Sequence, residues 1–245
     1  MQNSIDAMIL AAGRGTRLQP LTDTVPKALV EVQGLPMLEH VALRLAEAGA
    51  SRLIVNTHYL GDQVKTYLSE RNFFGLEGFI SDEENQILDT GGGLLKAAPF
   101  FRKEAPFFLH NVDVLCDADL TAMYNEATTS GALATLAVMA RETSRYLLFD
   151  EIGLCGHGNE EKGTEHLARR PVGATERLGF CGIHVISPRI FDLIEEEGVF
   201  SIIPLYMRLS AANELILPWR IDSATWIDIG TPEKLEVARK QSISS

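Results

Sequence analysis

Positive charge is scarce in this chain. Against 33 Asp and Glu stand only 22 Lys and Arg, a formal net charge of −11 over 245 residues. That balance excludes a protein that grips nucleic acid through its phosphate backbone, which requires a basic surface. Cysteine is sparse too. Cys116, Cys155 and Cys181 are odd in number and form no C-x-x-C pair, so neither a disulfide framework nor a zinc site is expected. Long apolar runs are missing as well. The stretch over residues 7–12 is far too short to span a bilayer, and no basic segment at the amino terminus leads into an apolar one. The expectation is a cytoplasmic protein without a membrane partner. An acidic chain can still hold a small phosphorylated ligand if its few cations gather in one loop and a divalent metal supplies further positive charge.

What is present is an ordinary globular composition, 46% hydrophobic and 22% charged. The length suits one substantial core and lies near the size at which single cores stop growing. One domain over residues 1–245 is expected, with a first half to about residue 140 and a second from about 141. Residues 7–12 read as a buried strand entering a glycine-rich loop that reaches about Pro26. Leu38, Val41, Ala42, Leu45 and Ala48 recur at helical spacing, with Gly49 as a stop. The alternation continues: strand at 53–55, helix at 60–68, strand at 78–80, helix at 92–98, and strands at 107–109 and 132–139. Such alternation predicts an α/β fold, a mainly parallel mixed sheet flanked by helices, with ligands beyond the carboxyl ends of its strands. Beyond Arg141 the pattern weakens to loops and antiparallel strands, including a run at 178–186. The tail returns to helices near 190–196, 202–212 and 232–240, with a strand at 215–220. No internal repeat is seen.

The most informative segment is Leu10-Ala11-Ala12-Gly13-Arg14-Gly15-Thr16-Arg17-Leu18-Gln19-Pro20-Leu21-Thr22, followed by Val25-Pro26-Lys27. Without Cβ atoms at Gly13 and Gly15, successive backbone N–H groups can turn toward phosphate oxygens. Thr16 adds a hydroxyl donor, Arg17 a planar charged fork, and Lys27 a compact point charge. Together they are suited to clamp a triphosphate. A dinucleotide-binding G-x-G-x-x-G reading fails because Leu18 stands at the third glycine position, and a Walker loop fails because no G-K-[ST] follows at the required spacing. The segment resembles the sugar-nucleotide pyrophosphorylase family, whose signature runs L-A-x-G-x-G-T-R-L-x-P-L-T and then P-K. The resemblance implies a Rossmann-like fold of the nucleotide-diphospho-sugar transferase type. It also implies that the loop, with Ala11, Ala12, Gly13, Gly15 and Thr16, binds a nucleoside triphosphate whose phosphates Arg17 and Lys27 hold. The molybdopterin nucleotidyltransferases share a glycine-rich first loop, but their lysine lies closer to it.

Two aspartates have metal-binding character. Asp113 follows the apolar run 107–109 through Asn111-Val112, and Asp228 lies in Trp226-Ile227-Asp228-Ile229-Gly230-Thr231-Pro232. Magnesium takes oxygen ligands and is commonly held by one or two carboxylates plus phosphates and water. The resembled family places metal-binding aspartates in a G-D segment and a W-x-D-x-G-T segment, which implies Mg2+ at Asp113 and Asp228. Val112 stands where the family has glycine. By the same resemblance Glu83 or Glu84 reads the base edge, Gly91 packs near the nucleotide, and Asn111 borders it. The run Gly91-Gly92-Gly93 is costly in a helix unless something must come close, and a base or ribose is the expected neighbour. Gly182, within Phe180-Cys181-Gly182-Ile183, reads either as a bulge in a strand or as the family's F-x-G-I segment beside the sugar. Arg170 is the nearest counterpart of an E-K-P element and reads either as a sugar-phosphate contact or as a solvated loop cation.

The reaction implied is attack by a sugar 1-phosphate oxygen on the α-phosphorus of UTP or GTP, with pyrophosphate leaving. No base need be named among the side chains, because a phosphate monoester with a second pKa of about 6 is already mostly ionised at neutral pH. The short members of the family, muramate 1-phosphate uridylyltransferases and mannose or heptose 1-phosphate guanylyltransferases, are the nearest in pattern. The alternative is a noncatalytic regulatory subunit of the same fold, whose expected sign is a missing ligand. Arg17, Lys27, Asp113 and Asp228 are all present.

Overall fold

The computed structural model describes residues 4–241. The chain begins with β1 (Ile5–Leu10), crosses the glycine loop through short turns at Thr16–Leu18, Leu21–Asp23 and Lys27–Leu29, and forms a small hairpin of β2 (Glu31–Val32) and β3 (Leu35–Pro36). There follow α1 (Met37–Glu47), β4 (Ala50–Thr57), α2 (Gly61–Glu70), β5 (Glu77–Asp82), α3 (Asp89–Ala97) and β6 (Phe107–Asn111). Next come β7 (Val114–Cys116), α4 (Leu120–Ser130), β8 (Ala134–Met139), β9 (Arg145–Phe149), β10 (Leu154–Asn159), β11 (Thr164–Leu167) and β12 (Glu176–Ile186). The chain closes through α5 (Ile190–Leu193), α6 (Ile202–Ala211), β13 (Ile216–Arg220), β14 (Trp226–Asp228) and α7 (Pro232–Lys240).

The main sheet runs in the order β11-β10-β9-β12-β6-β1-β4-β5, with β8 pairing both β12 and β13. Strands β6, β1, β4 and β5 are parallel. Across β6 the direction reverses, since β12 pairs antiparallel with β6, β8 and β9. The mixed, partly parallel sheet flanked by helices agrees with the α/β expectation, and strand β12 from the second half of the chain lies directly beside β6 from the first.

Both faces of the parallel part are covered, which is why β1 beyond Asp6 reads as an unbroken apolar run rather than as an alternation. Ala7 and Ile9 pack on one side with Leu38, Val41 and Leu45 of α1 and Met123 of α4. Met8, between them, points the other way, toward Leu94 of α3 and Leu205 and Tyr206 of α6. Among the described residues, no helix is long and apolar enough to cross a membrane.

Several expected elements differ in extent. Helix α4 was not anticipated from its Thr- and Ser-containing sequence, yet its ends carry clear signals. The Asp119 carboxylate accepts from the Ala122 N–H at 2.9 Å, and Gly131 closes the helix at φ 69°. The helix expected at 190–196 shrinks to Ile190–Leu193. The polar stretch between Gly153 and Gly173 carries β10 and β11, an antiparallel pair at the sheet edge.

Candidate active site

The carboxyl ends of β1, β4, β5 and β6 share one edge of the sheet, and the chain leaves that edge through the segments singled out above. Ala11, the first residue after β1, donates its N–H to the Asn56 side chain at 2.6 Å. Asn56 in turn donates to Glu83 at 2.6 Å, so the ends of β1, β4 and β5 are tied by one polar chain. Ala12, Gly13, Lys27, Glu83, Asn111 and Asp113 line a common cleft. Gly13 is exposed, and a Cβ built on it would meet nothing within 4 Å.

The glycine loop is held from within. Gly15 adopts φ 65°, its carbonyl accepts from Thr22 Oγ1 at 2.8 Å, and a Cβ there would lie 2.9 Å from Thr22 Cγ2. Gly15 therefore serves a left-handed turn packed against its own loop. Leu18 is buried in a small cluster with Ile227 and Ile229, the two neighbours of Asp228. That anchor brings Arg17 beside Gly230, whose hypothetical Cβ would stand 3.0 Å from the guanidinium Nη2. Thr16 and Arg17 are exposed at this turn.

The two aspartates are joined by a ribbon. Strands β7 and β14 pair antiparallel with Asp228 opposite Val114, and the Ile229 N–H donates to the Asp113 carbonyl at 2.9 Å. Lys27 forms an ion pair with Asp113, and Lys234 forms one with Asp228. Asp228 also accepts from the Gly230 N–H at 2.9 Å. Burial opposes ionisation of Asp228, but Lys234, the Gly230 N–H and the nearby charge of Lys27 outweigh it and hold the carboxyl below its ordinary range. Two carboxylates, two lysines and a guanidinium thus converge from three separate segments of the chain. Val112 is buried with its N–H on the Leu10 carbonyl at 3.2 Å, so β6 runs on without needing the family's glycine.

Some expected residues take other roles. Glu83 is 1% exposed, and its carboxylate accepts from Asn56 and from the Leu88 N–H at 2.8 Å. Its oxygens take part in fixing the cleft wall, a role that only the tertiary contacts reveal. Glu84 is exposed on the turn that follows. The glycines of α3 are likewise explained by protein. A Cβ on Gly91 would stand 2.3 Å from the Phe200 ring, one on Gly92 2.3 Å from the Gly198 carbonyl, and one on Gly93 2.8 Å from Glu83. Gly91 also gives its N–H to the Phe200 carbonyl, so its close neighbour within the fold is the segment preceding α6.

Gly182 is a bulge, with φ 76° at the point where the β12–β8 register shifts, and its missing Cβ leaves room for the Asn111 side chain, 2.8 Å away. Arg170 is exposed in the turn after β11 and does not line the cleft, while its neighbour Arg169 is spent on Asp150 through two contacts of 2.7 Å.

Three residues escaped the sequence reading. Lys234 sits in the first turn of α7, where the helix dipole disfavours a cation. That local conflict was a readable sign of an acidic partner outside the helix. Asp89 lines the cleft at φ 60°, a left-handed conformation uncommon outside glycine, and no composition signal marks it. Asn56 is invisible without the tertiary contact it makes.

A sequence model of the family described as nucleotidyl transferase matches residues 6–244. An N-acetylmuramate alpha-1-phosphate uridylyltransferase of Neisseria meningitidis is 31% identical over 234 residues, covering 95% of this chain and 96% of the relative. A mannose-1-phosphate guanyltransferase of Schizosaccharomyces pombe is 31% identical over 242 residues, covering 93% of this chain and 61% of that longer protein. Among solved structures, an inositol-1-phosphate CTP transferase of T. maritima superposes with a TM-score of 0.77 at 18% identity and full coverage of both chains. A UDP-glucose pyrophosphorylase of Acinetobacter baumanii gives 0.78 at 21% identity, covering 96% of this chain and 92% of its own. The shared fold is that of the nucleotide-diphospho-sugar transferases.

Proposed function

The chain belongs to the nucleotidyl transferase family, and from that premise we propose that it transfers a nucleoside monophosphate from UTP or GTP to a sugar 1-phosphate, releasing pyrophosphate. The observation that carries the reading is the convergence of Arg17, Lys27, Asp113 and Asp228 around the β7–β14 ribbon at the mouth of the cleft. In-line displacement at phosphorus asks a protein chiefly to align two polyanions and offset their charge. The backbone N–H groups of the loop through Ala12, Gly13 and Thr16 suit the triphosphate, with Arg17 and Lys27 set against its charge, Asn111 bordering the nucleotide and Gly182 the acceptor side.

Asp113 and Asp228 offer hard oxygen donors from two backbone-linked segments, a donor set that fits Mg2+. The ion would supply further positive charge against the phosphates. With each carboxylate resting on a lysine, the acidic pair does not stand as uncompensated charge beside the polyanion site.

The first half of the chain, to about residue 140, holds the nucleotide in this reading, and the second contributes Gly182 and Asp228 on the sugar side. A cytoplasmic setting accords with such substrates. The test is direct. The purified protein with magnesium is offered each of the four nucleoside triphosphates and a panel of sugar 1-phosphates, and pyrophosphate release is measured. Release that requires both one triphosphate and one sugar phosphate is expected. Binding of a triphosphate without release for any pair would transfer the reading to a noncatalytic subunit.

A further inference from the structure

Arg141 lies just past β8, outside every role assigned above. Its guanidinium carbon stands 4.5 Å over the ring of Trp226, and its Nη2 donates to the Phe180 carbonyl at 3.1 Å. A Cβ on Gly179 would come within 2.7 Å of its Nε, so the glycine is what admits the side chain. The placement is therefore built, by a stacking face, a carbonyl and a glycine, yet it lacks a counter-ion. Among the described residues no carboxylate lies within 4.0 Å of Arg141, and its Nε is buried without a partner. The neighbouring Arg177 differs, since its charge is spent on Glu165 at 3.0 Å and Glu160 at 3.7 Å. A partly buried guanidinium without an anion is costly to keep, and an anion meeting its Nη atoms would offset that cost.

Resting on the proposed function, we infer that Arg141 receives an acidic substituent of the sugar ring, so that the acceptor is a sugar 1-phosphate carrying a second anion, a carboxylate, away from its phosphate. Position separates the two anions. Trp226 and Asp228 project from the same face of β14, two residues apart, which is roughly 7 Å along the strand. The reacting phosphate belongs beside Asp228, Asp113, Arg17 and Lys27. Arg141, stacked on Trp226, stands about a sugar ring further out. The planar fork of arginine matches a carboxylate in two-point contact. Glu142, Glu160 and Glu161 line the same cleft as Arg141, which makes it inhospitable to an anion that Arg141 does not engage.

The experiment compares N-acetylmuramate 1-phosphate with N-acetylglucosamine 1-phosphate, which shares the ring and lacks the carboxylate-bearing ether. The full chain and its Arg141→Gln and Arg141→Lys variants are assayed with magnesium and the productive triphosphate. The wild type is expected to prefer the acidic sugar. In Arg141→Gln the ratio of kcat/KM for the acidic over the neutral sugar should fall about ten- to a hundredfold, carried by KM. Arg141→Lys, which keeps the charge and loses the fork, should fall between. An unchanged ratio, or a wild type that prefers the neutral sugar, overturns the inference while leaving the proposed function standing. If Arg141→Gln does not fold, the ratio in Arg141→Lys decides. Absence of pyrophosphate release with every sugar phosphate overturns the parent reading and this one with it.

Discussion

Acidification from pH 7 to pH 5 is expected to remove a large part of the folding stability through His110 and His184. Both are buried at the sheet centre, 3% and 1% exposed. Burial pushes His110 down to about 4 and His184 down to about 3. His184 shares a hydrogen bond of 2.9 Å with the buried Tyr206 hydroxyl, and His110 bonds the Asn111 carbonyl at 2.8 Å. A histidine whose native pKa is depressed stays neutral in the fold, while the unfolded chain takes up a proton near pH 6.5. Its stabilisation is therefore complete above 6.5 and is lost as pH falls below it, at about 1.36 kcal/mol per pH unit for each group. Between pH 7 and 5 the two together amount to roughly 3–4 kcal/mol, and the figure depends only on both native values lying below 5. His157, also lowered by burial and by the adjacent His166, adds a smaller loss of the same sign. Asp150 and Asp228, whose native values are depressed, stabilise above the ordinary carboxylate range of about 4 and lose that contribution only further down in pH. Urea unfolding followed by the fluorescence of Trp219 and Trp226 at pH 7, 6 and 5, without ligands, measures the loss. His184→Gln should shrink the difference between pH 7 and 5 by roughly 2 kcal/mol. A stability that is flat over this range, or a variant that keeps the full dependence, would refute the account.

Asp113→Asn and Asp228→Asn should each reduce kcat/KM by about a hundredfold or more in steady-state pyrophosphate release, with the far-UV circular dichroism of the fold retained. Asp150→Asn should cost about 3–5 kcal/mol in urea unfolding, because its fully buried carboxylate accepts from both arms of Arg169 and from the Val172, Ile152 and Gly153 N–H groups. Gly91→Ala should lose about 1–3 kcal/mol by driving a methyl into Phe200, whereas Gly13→Ala, with open space at its Cβ, should keep its Tm and raise the KM for the triphosphate.

The parallel core was legible because each strand and helix there announces itself locally, by an apolar run, a helical spacing or a closing glycine. The phosphate loop was legible for the same reason: glycines, a threonine, an arginine and a lysine within one short segment leave few other readings. Helix α4 was missed where propensity is weak, although its caps at Asp119 and Gly131 were in plain view. The bulge at Gly182 was not decided by the sequence, because it takes the register shift against β8 and the Asn111 side chain beside it to show it.

What the sequence by itself determined is the α/β framework and the identity of the charged residues available for phosphate chemistry, since both follow from patterns among near neighbours. Tertiary structure alone decided their partners. The β7–β14 ribbon joins Asp113 to Asp228, Asn56 claims Glu83 for the cleft wall, Phe200 accounts for Gly91, and Trp226 seats Arg141. Each is a contact between residues far apart in the chain. Whether a carboxylate, a glycine or a guanidinium faces ligand or protein depends on which distant group reaches it first, and no local pattern encodes that.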